Sequence, residues 1–179
     1  MSDVHPSPEV SHRDLNEILN LHELDLSVFE DKRILDLGCG NSDLAGDLVL
    51  NGIRAAVYGV DVNRELFDAG DVSPLRVPVV ANVDALPFAS NSMDVVLATY
   101  SLPFWAISHE AVAAFFSEGE RVTATGGIFS VYPMLVEHGT PGHGDLFVDA
   151  RRRARAIGNS QNWKIIDKGN TTFTAIKLR

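Results

Sequence analysis

Cysteine and long apolar runs are scarce in this chain of 179 residues. Its one cysteine, Cys39, excludes an intrachain disulfide framework and a four-cysteine zinc site. No apolar run approaches the roughly 18 residues that a membrane helix requires. The amino terminus has neither a basic start nor an apolar stretch, so we expect no secretory signal. The sequence therefore predicts a cytoplasmic protein that does not insert into a membrane.

Positive charge is also scarce over most of the chain. Residues 1–150 contain 7 basic and 23 acidic side chains, whereas residues 151–179 contain 8 basic and 1 acidic. The basic segment includes Arg151, Arg152, Arg153 and Arg155. It forms either a solvated helix face or a patch that binds phosphate or nucleic acid. Because the acidic body repels a polyanion, we do not expect a nucleic-acid partner.

The chain does contain a regular alternation of strand and helix patterns. We predict a loose lead-in at 1–10, then a single domain at 11–179 whose segment 11–30 forms a helical lid. Strands are predicted at 32–37, 55–60, 76–81, 94–100, 127–132, 163–167 and 172–178. Helices are predicted at 12–24, 42–50, 64–69, 109–120 and 145–157, with Ser11 capping the first. This order is typical of an α/β fold with a mostly parallel sheet, and Pro78 places the third strand at an edge.

The turn after the first strand carries the most informative motif. Ligands of open α/β sheets bind outside the carboxyl ends of the strands, and Gly38 and Gly40 would let the backbone approach a ligand closely there. Asp61 ends the second strand, where its carboxylate can accept hydrogen bonds from both hydroxyls of a ribose. Position 43 is an aspartate, not the third glycine of a dinucleotide fingerprint. Asp36 would repel a pyrophosphate but suits a cationic amino group such as that of S-adenosylmethionine.

In this order, the motifs resemble those of the class I S-adenosylmethionine-dependent methyltransferases, in the small-molecule, type-11-like branch. The resemblance runs from about residue 32 to the end of the chain, through segments 35–45, 57–66, 82–88, 94–105 and 120–133. It implies a Rossmann-like, seven-stranded, mostly parallel sheet in the order 3-2-1-4-5-7-6, with strand 7 antiparallel and helices on both faces. It also implies S-adenosyl-L-methionine as the cofactor.

The resemblance further implies roles for individual residues. Asp36 and the turn Gly38-Cys39-Gly40 would hold the methionine moiety, and Asp61 would hold the ribose. Val62, expected to be buried, would lie beside the adenine, with Asp84 and Ala85 at the adenine amino group. Tyr100 is a further candidate for the cofactor site. Cys39 is either an activated thiolate near a helix start or a small spacer between glycines, and we favour the spacer.

The segment after the fourth strand is the candidate acceptor pocket. Ser101, Phe104 and Trp105, together with Tyr132 on the fifth strand, would line it, with Trp105 expected to pack mainly in the core. A small-molecule acceptor is favoured. One alternative is a nucleic-acid or protein N-methyltransferase that uses Ser101-Leu102-Pro103-Phe104. The other alternative is a non-catalytic module that binds the cofactor.

The catalytic group is less defined by the sequence. Methyl transfer depends largely on positioning, and a general base is needed only where the acceptor atom must lose a proton. His138 and His143, in the glycine-containing loop after the fifth strand, and Tyr100 are weak candidates for this role. The histidines and carboxylates of that loop match no familiar metal-ligand spacing, so we expect no metal site.

Overall fold

The computed structural model describes residues 14–68, 76–102, 104–134, 144–166 and 171–179. Its helices are α1 (Leu15–His22), α2 (Leu44–Leu50), α3 (Glu65–Asp68), α4 (His109–Val122) and α5 (Gly144–Asn159), with a 3₁₀ turn at Leu26–Phe29. Its strands are β1 (Lys32–Leu37), β2 (Ala55–Asp61), β3 (Arg76–Val80), β4 (Met93–Thr99), β5 (Thr123–Tyr132), β6 (Trp163–Ile165) and β7 (Phe173–Lys177).

The strands form one seven-stranded sheet in the order β3-β2-β1-β4-β5-β7-β6. β1 to β5 pair in parallel, whereas β7 runs antiparallel to both β5 and β6. The predicted fold class, strand order and antiparallel seventh strand are therefore confirmed. The strand that contains Pro78 lies at the edge, where the missing amide donor interrupts no further ladder.

Two apolar layers cover the two faces of the sheet. Alternate residues of β1 point to opposite faces, so Ile34 packs with α1 and α2 while Leu35 and Leu37 pack with α4 and α5. The second layer contains an aromatic cluster in which the rings of Phe116 and Phe129 lie 6.0 Å apart. Burial on both faces explains the consecutive apolar residues Ile34-Leu35 in β1 and 95–98 in β4.

The first helix is shorter than the predicted 12–24. It begins at Leu15 because Asp14 caps it, with the Asp14 carboxylate accepting a 2.8 Å hydrogen bond from the Glu17 amide, and it ends where Glu23 adopts a left-handed conformation. Ser11, the predicted cap, lies outside the described residues. His22, fully buried, joins the helix to the sheet: its Nδ1 lies 2.7 Å from Ser130 Oγ and its Nε2 lies 2.8 Å from Thr99 Oγ1.

The fifth strand begins four residues earlier than predicted. The pair Gly126-Gly127 is a typical turn signal, which favours a strand that begins only at 127, but both glycines lie inside the observed strand. Pairing with β4 shifts register between Met93 and Val95, which marks a bulge. A Cβ at Gly127 would lie 2.8 Å from the Asp94 carbonyl oxygen, so the bulge requires glycine at this position. The other boundaries lie within two residues of the predicted ones, and those of β1 coincide with them.

Candidate functional site

A cleft of about 640 Å³ opens at the carboxyl ends of β1, β2 and β4. This is the edge of the sheet at which the sequence places the ligand site. The cleft is lined by Glu17, Gly38, Gly40, Asp61, Val62, Leu66, Asn82, Val83, Asp84, Tyr100, Ser101, Leu102, Phe104, Trp105, Ile107 and Ala111. Nine of the predicted site residues are therefore among its walls.

The glycine turn is held against the end of β2. The amides of Gly38 and Cys39 both donate to the Val60 carbonyl, at 2.8 and 3.0 Å. Gly38 and Gly40 both have positive φ, at 65° and 54°, which favours glycine. A Cβ at Gly38 would also collide with the Ser101 hydroxyl, so the absence of a side chain lets two walls of the cleft meet.

Asp61 organises the same turn through its side chain. Its Oδ2 accepts a 3.0 Å hydrogen bond from the Gly40 amide, and its Oδ1 accepts a 2.9 Å hydrogen bond from the Asn63 amide. Each carboxylate oxygen can accept a further hydrogen bond. Asp61 therefore combines a structural contact with the capacity to bind hydroxyl groups of a ligand in the cleft.

Asp36, which precedes the turn, and Cys39, which lies within it, do not line the cleft. Both are buried. Burial raises the pKa of the Cys39 thiol, and the negative charge of Asp36 raises it further, while the positive charge of Arg76 opposes this. A buried, protonated thiol is a poor nucleophile, which supports the spacer interpretation. A contact between Asp36 and the cofactor stays a prediction.

The predicted adenine side of the cleft differs from expectation in two residues. Val62 is 65% exposed and lies at the mouth of the cleft instead of being buried, because it directly follows the end of β2 where the chain leaves the sheet. Asp84 lines the cleft as predicted, but Ala85 does not; its amide closes a turn by donating to the Asn82 carbonyl at 3.1 Å. Asn82 itself lines the cleft.

An aromatic wall, formed by Tyr100, Phe104 and Trp105, bounds the opposite side. The centroids of Phe104 and Trp105 are 4.9 Å apart, and those of Phe104 and Tyr100 are 6.0 Å apart. Trp105 is 59% exposed, so its predicted core location is wrong. Its indole Nε1 donates a 2.8 Å hydrogen bond to the Tyr100 carbonyl, which fixes the ring at the surface. Tyr132 does not line the cleft but packs its ring against Tyr100 at 5.2 Å.

Several lining residues were not singled out from the sequence. Glu17 reaches the cleft from α1, and Ile107, 90% exposed, lies at the rim beyond the aromatic wall. Leu66, Asn82, Val83 and Ala111 complete this set, and Leu102 belongs to the segment 101–104 already named. The expectation that the first helix forms a lid indicated that α1 approaches the cleft but not which residue would do so. Among the described lining residues, every charged side chain is acidic: Glu17, Asp61 and Asp84.

Other predicted groups lie away from the cleft or outside the described residues. His138, His143 and Pro103 are in the latter set. The arginines of the basic segment lie on α5, where Arg153 Nε contacts Asp149 Oδ2 at 3.1 Å and Arg152 Nη1 contacts Asp149 Oδ1 at 3.7 Å. In the part of the chain that the structure describes, no group of three His, Cys, Asp or Glu side chains is placed to hold a metal ion. No helix in that part combines the length and hydrophobicity needed to cross a bilayer.

Comparison with known proteins identifies the family. Residues 35–131 match the family model described as "Methyltransferase domain". The chain is 29% identical over 115 residues to the sterol 4-C-methyltransferase strm-1 of Caenorhabditis elegans, covering 62% of this chain and 33% of the relative. It is 37% identical over 112 residues to EEF1A lysine methyltransferase 4 of Mus musculus, covering 54% and 44%. The chain thus spans less than half the length of these curated relatives.

A solved structure supports the fold. The TehB-like SAM-dependent methyltransferase from Corynebacterium glutamicum superposes with a TM-score of 0.58 at 17% identity, covering 89% of this chain and 92% of the other. The family match includes the second half of β1, the glycine turn, β2 and β4, which are the elements that build the cleft. The chain therefore belongs to the type-11 methyltransferase-domain family, whose model matches more than half of its length.

Proposed function

We propose that this chain is an S-adenosyl-L-methionine-dependent methyltransferase and that its acceptor is a small molecule that packs against the aromatic wall. The observation that carries this proposal is the exposed indole of Trp105, which a hydrogen bond to a backbone carbonyl holds at the rim of the cleft. Leu102 and Ile107 extend the same apolar surface. An exposed apolar surface next to a cleft is typical of a ligand-binding site.

The residues of the cleft fit the cofactor. S-Adenosylmethionine carries a sulfonium and an ammonium group, and it supplies an activated methyl group for transfer. Asp61 and Asp84 present carboxylates to such a cation, and no basic side chain is among the described residues that line the cleft. We assign the ribose to Asp61, the adenine to Asp84 and Val62, and the methionine moiety to the glycine turn with Asp36 behind it.

The charge of the cleft restricts the acceptor. Glu17 lies on the α1 side, so both the acceptor and the cofactor would meet carboxylates. An anionic acceptor would be repelled in a cleft where the low dielectric strengthens such interactions. We therefore expect a neutral or cationic acceptor with an apolar body. The aromatic wall would orient it, and that orientation would supply most of the rate enhancement.

The size of the acceptor can be tested without knowing its identity. The purified protein is incubated with S-adenosylmethionine labelled in its methyl group and a cell extract separated by ultrafiltration into small molecules and macromolecules. We expect label in new products of the small-molecule filtrate. The Trp105→Leu variant should lose most of this incorporation, whereas Leu178→Ala, which removes an exposed apolar side chain outside the cleft, should retain it.

Each other result would reject the proposal in favour of a different function. Label in retained protein would favour a lysine or another side chain as the acceptor, as the name of the mouse relative indicates for that protein. Label in retained nucleic acid would favour the alternative based on Ser101 to Phe104. Cofactor binding without incorporation in either fraction would indicate a non-catalytic module.

A further inference from the structure

We propose that Arg76 is a positioning residue for the cofactor: its guanidinium holds the carbonyl groups of Gly40 and Ser42 and thereby fixes the turn that receives the methionine moiety. The proposal rests on the placement of that moiety at the glycine turn proposed above. Arg76 does not line the cleft, and it would act through the backbone of the turn.

Arg76 is the first residue of the edge strand β3, yet it is only 4% exposed. Its Nη1 donates to the Ser42 carbonyl at 2.6 Å and reaches the Gly40 carbonyl at 3.4 Å. The guanidinium carbon lies 5.0 Å from the centroid of the Phe67 ring. Its Nε and Nη2 have no hydrogen-bond partner among the residues that the structure describes. Within the described ranges, no carboxylate forms an ion pair with it.

Burying the Arg76 guanidinium in this way costs free energy, so its contacts with the turn indicate a functional role. An arginine remains charged at any accessible pH, and burying a charge without a paired carboxylate is costly. A residue needed only to fill space at this position would be apolar. The hydrogen bonds that Arg76 does make go to the Gly40 and Ser42 carbonyls and to the Cys39 sulfur. Because a carbonyl and the next amide share one peptide plane, these bonds fix the planes that carry the Asn41 and Asp43 amides, directly after the glycine turn.

Neighbouring residues make room for this side chain. In β2, a Cβ at Gly59 would lie 2.8 Å from Arg76 Cδ and 2.9 Å from Cys39 Sγ, both closer than real contacts allow. The Cys39 sulfur in turn lies 3.7 Å from Arg76 Nη1. Gly59 therefore lets the arginine cross β2 beneath the turn, and Cys39 is small enough to pack against it.

Asp36 and Arg76 both contribute to the electrostatic environment of the turn. The charges of Asp36 and Arg76 shift the pKa of the Cys39 thiol in opposite directions, so both lie close enough to act on that sulfur. Asp36 is the residue proposed to stand behind the methionine moiety, so Arg76 acts on the same part of the site.

Two ligands separate a positioning role from a merely structural one. S-Adenosylhomocysteine carries the amino-acid group, whereas 5′-methylthioadenosine keeps the nucleoside and lacks that group. We expect Arg76→Met to weaken binding of S-adenosylhomocysteine by about tenfold or more, and binding of 5′-methylthioadenosine by less than about threefold, as measured by calorimetry. Arg76→Lys keeps the charge and should recover part of the loss.

A matched control and a second variant complete the test. Arg54 is exposed and pairs with Glu30 and Asp31 outside the cleft, so Arg54→Met should bind both ligands like the wild type. Gly59→Ala should push the arginine aside and produce the same selective loss, which keeps the test decisive where Arg76→Met does not fold. Thermal unfolding without ligand shows whether each variant is folded.

The possible failures are distinguishable. In one case, the wild type binds S-adenosylhomocysteine, and the folded Arg76 and Gly59 variants either bind it as tightly or lose affinity for both ligands equally. This result would overturn the role of Arg76 and leave the proposed function intact. A wild type that binds neither ligand would reject the cofactor site itself and the role of Arg76 with it.

Discussion

Replacing Asp61 with asparagine tests the proposed ribose contact and the architecture of the glycine turn together. In the structure, both carboxylate oxygens accept hydrogen bonds from backbone amides, from Gly40 at 3.0 Å and from Asn63 at 2.9 Å. An asparagine can accept one of these bonds, but its NH₂ group would then face the second amide as another donor. The variant therefore loses one charge-assisted hydrogen bond within the turn and the charged acceptor proposed for the ribose hydroxyls.

The expected loss of affinity follows from these contacts. A hydrogen bond to a charged group contributes about 1.5–3 kcal/mol. Allowing for partial compensation by water, we expect Asp61→Asn to weaken binding by about 2–4 kcal/mol, or roughly 30- to 1000-fold in Kd. Calorimetric titration with S-adenosylmethionine measures this loss, and urea unfolding of the free protein measures the smaller effect on stability.

Asp94→Asn provides the matched control for that experiment. Asp94 accepts hydrogen bonds from the backbone amide and guanidinium of Arg33 near the start of β4, away from the cleft, and these bonds lower its pKa. This variant should lose some stability and bind the cofactor with unchanged affinity. If folded Asp61→Asn bound S-adenosylmethionine within about threefold of the wild type, a difference below 1 kcal/mol, the assignment of Asp61 to the ribose would be refuted.

Three further outcomes are expected. The pKa of Glu118 is lowered by its hydrogen bonds with Arg121, so its stabilising effect is complete above its ordinary pKa near 4.3 and lost as pH falls through the lower folded value. Glu118→Gln should therefore cost about 1–3 kcal/mol in urea unfolding at neutral pH and flatten the decline below about pH 4, and an unchanged acid profile would contradict this. Because burial raises the pKa of Cys39, iodoacetamide should label it in urea but not in the native protein, as measured by mass spectrometry. Rapid labelling of the native protein would instead support the interpretation of Cys39 as a reactive thiolate. His22→Leu should lower the free energy of unfolding by about 2–4 kcal/mol, because the buried Thr99 hydroxyl loses its ring partner, and a neutral result would show that water replaces the ring.

The fold was predictable because its signals are local. Short apolar runs followed by turns define parallel strands, and the glycine turn marks the end of the first strand. The edge position of β3 could be inferred from Pro78 alone, since proline lacks an amide donor. The bulge in β5 was missed because Gly126-Gly127 is also a typical turn signal, and only the pairing with β4 distinguishes the two cases.

The acceptor side of the cleft was less predictable because it depends on side-chain direction. Trp105 follows a strand in an apolar segment, which favours a core position, yet its indole is turned outward by a hydrogen bond to the backbone of Tyr100. Glu17 lies on the polar face of α1, and its position at the cleft depends on how that helix docks. Docking involves the buried His22 and hydroxyls on β4 and β5, contacts between residues 77 and 108 positions apart.

Gly38, Gly40 and Gly59 show why the spacing of motif residues along the sequence reveals only part of this site. Gly38 and Gly40 form a recognisable motif, but Gly59 resembles an incidental glycine within a strand, and Arg76 resembles an exposed charge at the start of an edge strand. In the structure, Gly38 admits the Ser101 side chain on one side of the turn and Gly59 admits Arg76 on the other. A Cβ at either glycine would occupy the space that the Ser101 or Arg76 side chain fills. Substitutions at Gly38 and Gly59 should therefore both disturb the turn, although only Gly38 lines the cleft. The functional motif therefore extends to a residue on the neighbouring strand that no local pattern identifies.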